Sequence, residues 1–113
     1  MNSLSLLAEY DWREAFSYAK GFGTDDVSEI IDYKQGENDG LNWIMYGRLK
    51  DGRYFALSAG CDYTGWDCQA GGDSEIKATL PELLRFGMGD DERDRYGIVL
   101  DVPRSDLSAE VKP

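Results

Sequence analysis

The chain has 113 residues, 42% of them hydrophobic and 12% aromatic, with 22 acids against 12 bases for a formal charge of −10. This is the composition of one folded domain and not of a disordered chain. The acid surplus excludes simple binding to nucleic acid or to an anionic membrane, whose phosphates it would repel, and no apolar run approaches the ~18 residues that a spanning helix needs.

The first stretch, from Leu4, sets Leu4, Leu7, Ala8, Trp12, Ala15, Phe16 and Ala19 mostly at three- and four-residue spacings, the stripe of an amphipathic helix. Ser3 is its candidate N-cap and Gly21-Phe22-Gly23 its stop, so the reading is a helix over about residues 4–19. Thr24, Asp25 and Asp26 then suit a helix start, and Val27, Ile30 and Ile31 follow at i, i+3 and i+4. A short helix over residues 25–33 is expected. A strand is the alternative, because Val, Ile and Tyr all favour one.

After a polar turn at residues 34–40, two aromatic-rich runs at 41–50 and 53–59 flank Asp51-Gly52. That is the strongest short-range hairpin signal and predicts a type I′ turn. Arg48, Lys50 and Arg53 gather at its tip as the one basic spot in the sequence. Ser74 to Ala78 alternates weakly and is expected as a third, antiparallel strand. Thr79-Leu80-Pro81-Glu82 reads as a capped helix start, with the helix burying Leu80, Leu83, Leu84 and Phe86 and ending at Gly87. Asp90 to Tyr96, acids first and arginines last, predicts another short helix stopped by Gly97. Ile98 to Pro103 is expected as a final strand or extended cover. The expected fold is α+β: a small antiparallel sheet around the 41–59 hairpin, packed against an N-terminal helix and short C-terminal helices. Residues 1–103 form the single domain and residues 104–113 a loosely held tail.

The most distinctive segment runs from Leu57 to Gly72. It holds both cysteines, Cys61 and Cys68, one of three tryptophans and four of thirteen glycines. With no His and no further Cys, two thiols cannot complete a structural zinc site, and no metal or other cofactor is expected. In a reducing compartment the pair reads as two thiols ahead of a disulfide or a redox switch. Asp62, Thr64 and Asp67 do not match a calcium loop and read first as turn formers. Asp62, Tyr63, Trp66 and Asp67 remain the candidates if this loop binds a ligand, since Trp and Tyr are frequent binding anchors. The absence of His rules out Ser-His and Cys-His arrangements, and no pair of carboxylates stands out, so the protein is read as no enzyme.

The run Leu-Ser-Ala-Gly-Cys-Asp-Tyr-Thr-Gly-Trp-Asp-Cys-Gln at 57–69, after Arg-Leu-Lys-Asp-Gly-Arg and before Leu-Pro-Glu-Leu-Leu-Arg-Phe-Gly, resembles short proteins encoded by phages and by bacterial mobile elements. The resemblance covers about residues 36–97. It implies a phage or mobile-element context and no catalytic residues.

Residues 1–40 carry nine acids against three bases, and they hold the steepest charge imbalance in the chain. Glu9, Asp11, Glu14, Asp25, Asp26, Glu29 and Asp32 are therefore the expected acidic face. The functional expectation is a non-enzymatic phage accessory protein of anti-CRISPR or other anti-defence type. It would inhibit a basic, nucleic-acid-handling host protein by presenting carboxylates in place of phosphates. It would bind no nucleic acid directly and no membrane. A small-molecule or nucleotide-binding module using the 60–72 loop, and a toxin-neutralising immunity protein, are the alternatives. Met1 to Leu7 lacks a basic segment and soon meets Glu9 and Asp11, so the expected location is the cytoplasm of the bacterial host.

Overall fold

A computed structural model describes residues 3–37, 41–60 and 71–99. Four strands form one antiparallel meander in the order β1-β2-β3-β4: β1 Val27–Lys34, β2 Trp43–Leu49, β3 Tyr54–Gly60 and β4 Gly71–Lys77. The helices α1 Tyr10–Phe16, α2 Leu80–Phe86 and α3 Asp90–Tyr96 complete an α+β fold. The meander follows from sequence order, since each strand pairs with the next along the chain.

Elements pack on both faces of the sheet, on the second over only part of it. Along β2 and β3, Trp43, Met45, Leu49, Phe55, Leu57 and Ala59 point to a first face, where they pack with Leu7, Trp12, Ala15, Phe16 and Phe22. Tyr46, Tyr54 and Ala56 point to the second face, against Leu80, Leu83, Leu84, Met88 and Tyr96 of the C-terminal helices. The central hairpin is thus a sheet interior with apolar side chains in both directions, as two-sided burial requires.

The hairpin is where expected, but its turn differs. Leu49 O accepts from Gly52 N at 3.0 Å and Leu49 N donates to Arg53 O at 2.8 Å, which leaves a three-residue loop with Gly52 at φ 94°. This is the type I turn followed by a left-handed glycine, in place of the two-residue type I′ turn. Arg53 and the Asp51 carboxylate close it with an exposed ion pair at 2.8 Å.

The expected helix over 4–19 is two pieces. Ser3–Ala8 winds as a 3-10 segment, Glu9 is extended at φ −73°, ψ 146°, and α1 stops at Phe16. The break has a packing cause. The 3-10 segment docks on β1 and α1 docks on β3, so one straight helix could not seat Leu7 and Trp12 in the same core.

The expected helix over 25–33 is instead a 3-10 turn, Thr24–Asp26, followed by β1. Register shifts between Val27 and Glu29 and between Ile30 and Asp32 mark two bulges. Each bulge inserts an extra residue, so Val27, Ile30 and Tyr33 share the first face at a spacing of three. Val27 and Ile30 join the core there, and Tyr33 meets Trp12 edge-on at 5.8 Å. The bulged strand copies the spacing of a helix. Gly47 makes the close approach possible: a Cβ there would lie 2.1 Å from Glu29 O.

The third strand is present and longer than expected, and α2 begins at the Thr79 cap, whose hydroxyl accepts from Glu82 N at 3.3 Å. Gly97 ends α3 in the left-handed region at φ 76°. Val99 is 90% exposed and Ile98 half-buried, with neither in a strand. The rest of the expected final strand and the 104–113 tail lie outside the described residues.

Candidate functional site

On the second face, the side chains shrink along β3 from Tyr54 through Ala56 to Ser58 and Gly60. Tyr54 and Ala56 pack under the helices. Beyond them the small residues leave a groove between the sheet and the α2–α3 turn. Three adjoining recesses of about 220, 470 and 380 Å³ make it up, and Ser58 lines all three. The groove lies toward Gly60 and Gly71, the pair at the end of the β3–β4 ladder opposite the hairpin tip.

Its wall is set by Arg93, which is buried at 4% exposure. Arg93 Nη1 donates to Leu84 O, Arg85 O and Met88 O at 2.9, 3.1 and 2.8 Å, and Nη2 pairs with Asp90. A cation thus satisfies the last carbonyls of α2, as the helix dipole favours. The same guanidinium fixes the start of α3 against α2. Glu92 Oε1 accepts from Gly89 N and completes that start.

Carboxylates converge here from two segments. Asp73 and Glu75 stand on β4 opposite Ser58 and Ala56, and Asp90, Asp91 and Glu92 line the groove from α3. Among the described residues, the Asp73 and Asp91 carboxylates have no ion pair or hydrogen bond. Glu75 meets Lys77 at 3.8 Å in an exposed pair, which neutralises little. Arg95 is the cation among the lining residues described, and its guanidinium is committed to main-chain oxygens, Asn42 O at 2.7 Å and Gln35 O at 3.5 Å.

Beside the groove, Tyr46 and Tyr96 stack edge-on at 4.7 Å. Burial raises the Tyr96 phenol well above its ordinary value of 10.0, with Asp32, Glu92 and Tyr46 adding to the rise and Arg95 opposing it. Tyr46 is raised too, by burial and then by Asp32.

The seven residues expected as one acidic face are divided. Glu9, Asp11 and Glu14 belong to the α1 side, over the first face, with Glu9 and Asp11 exposed and Glu14 half-buried. Asp25 and Asp26 sit in the turn before β1. Asp26 accepts from Gly23 N at 2.8 Å, and Asp25 lines a cleft with Arg13 and Lys50. Glu29 stands opposite Arg48 and Asp32 opposite Tyr46, both on the second face. Cations interleave with this set, and the sheet separates its two halves. Sequence reading missed the groove, which depends on small second-face residues of β3 and on the acid-first start at Asp90. Cys61, Asp62, Tyr63, Thr64, Trp66, Asp67 and Cys68 lie outside the described residues.

Comparison with family models, with curated proteins and with solved structures finds no match for this chain. No helix among the described residues is long and apolar enough to cross a membrane. No group of three or more potential metal ligands is gathered among them either.

Proposed function

We propose that the protein is an acidic, non-enzymatic interaction protein that binds and inhibits a basic partner which itself handles nucleic acid. Its carboxylates take the positions that phosphates occupy in the partner's cationic site. The observation that carries this reading is the convergence of Asp73 and Glu75 with Asp90, Asp91 and Glu92 around one groove, in a chain of net charge −10. Such a field steers a cationic surface on encounter and repels nucleic acid. The binding surface is assigned to the groove and not to the N-terminal acids, whose neighbours include Arg13, Lys50 and Arg48. The resemblance at residues 57–69 implies a phage or mobile-element context, and an anti-defence role is the function proposed within it.

The test is capture from bacterial lysate by the wild type and by the Asp73→Asn, Glu75→Gln, Asp91→Asn triple variant, with mass spectrometry and nucleic-acid competition. The captured partner should be cationic, should be displaced by nucleic acid and should be lost by the triple variant. A partner held equally by both proteins and insensitive to salt would contradict the reading.

A further inference from the structure

The sheet has two edges, and they differ. On β1, two bulges break the ladder, and Tyr33 N donates to the Asp32 carboxylate at 2.8 Å. Bulges of this kind protect an edge from further pairing. On β4, seven residues from Gly71 to Lys77 pair with β3 in unbroken register, and the strand contains no proline. Among the described residues, Lys20 N donates to Ser74 Oγ at 2.9 Å, but the backbone amides and carbonyls of β4 bond to no backbone other than that of β3. One half of its amides and carbonyls therefore faces outward without a backbone partner, in the arrangement that accepts an added strand.

Resting on the cationic partner proposed above, we infer that an extended basic segment of that partner adds to β4 as a fifth strand. The alternation of β4 defines the segment. Asp73 and Glu75 lie on the groove face and Gly72, Ser74 and Ile76 on the other. A matching strand carries Lys or Arg opposite Asp73 and Glu75, a small residue opposite Ser74 and an apolar residue opposite Ile76. Opposite charges directly across a ladder stabilise it and like charges destabilise it. A second copy of this chain matches less well. A two-fold pairing centred on Asp73, Ser74 or Glu75 sets at least one pair of carboxylates directly opposite each other, and one centred on Ile76 pairs Glu75 with Lys77 but gives Asp73 no cation.

The probe is a synthetic peptide repeating Val-Lys-Thr-Lys, titrated into the full chain and followed by amide exchange. Two controls keep its charge and sequence but are N-methylated on one or the other alternate set of amides. The peptide should bind, slow the exchange of β4 amides not donated to β3, and weaken roughly tenfold when one alternate set is methylated. Asp73→Asn with Glu75→Gln should weaken it by a similar factor. If both methylated controls bind as tightly as the parent, attraction to carboxylates acts alone: strand addition falls, while the cationic-partner reading stands. Protection appearing at β1 instead, no binding even at low salt, or a chain that is already a β4-paired dimer would each overturn the inference. The cationic-partner reading fails separately, if the triple variant keeps its partner.

Discussion

The two faces of the sheet do different work. On the first, Trp12 and Phe55 are fully buried and Phe16, Phe22 and Phe55 close over the sheet with ring centroids 5.1–6.0 Å apart. On the second, the helices cover Tyr46, Tyr54 and Ala56 and then leave the sheet open along Ser58. The aromatic face supplies most of the apolar burial, while the second face carries the exposed carboxylates of Asp73 and Asp91 at its open end. The larger core and the proposed partner surface thus lie on opposite sides of one sheet.

The sharpest way to break that division is on the sealed face. Trp12→Ala should cost about 3–5 kcal/mol in chemical denaturation, the usual range for a buried aromatic. A loss under about 1 kcal/mol would show that the first face does not hold the fold. On the open face, Arg93→Leu leaves the carbonyls of Leu84, Arg85 and Met88 without their donor. The expected cost is about 1–3 kcal/mol, with α2 amides exchanging faster while α1 is unchanged. Equal protection of α2 in both proteins would contradict the capping role.

A smaller effect separates the faces by pH. The Tyr96 phenol is raised in the folded protein, so the unfolded chain ionises first as pH climbs past its ordinary value of 10.0. The contribution of this group is fully present below that value and is lost above it. Tyr96→Phe should therefore flatten the alkaline fall in stability and leave neutral and acid behaviour nearly unchanged. An alkaline fall of the same slope in the variant would remove Tyr96 from the account.

Much of this fold is legible in local chemistry. Asp51-Gly52 announces the hairpin, Thr79-Leu80-Pro81-Glu82 announces α2, and Gly97 marks the end of α3. The failures come where tertiary packing overrides spacing. Bulges at Ser28 and Ile31 put Val27, Ile30 and Tyr33 three apart on one face, so a strand imitates a helix. The N-terminal stripe looks continuous because Leu7 and Trp12 serve one core from two elements. The site was harder to read than the fold. Counting charge along the chain favours the first forty residues, whereas the groove joins Ser58, Asp73 and Glu75 to Asp90, Asp91 and Glu92. These residues are distant in sequence and meet only because β4 and α3 flank the small-residue end of β3.

The most direct measurement compares two neutralised proteins for affinity to the captured partner across a salt series. One carries Asp73→Asn, Glu75→Gln and Asp91→Asn; the other carries Glu9→Gln, Asp11→Asn and Asp25→Asn. Being exposed changes, the groove set should alter stability by no more than about 0.5 kcal/mol. The groove set should abolish binding and its salt dependence, while the N-terminal set leaves both near wild type. The reverse outcome, with binding lost in the N-terminal set and kept in the groove set, would contradict the account.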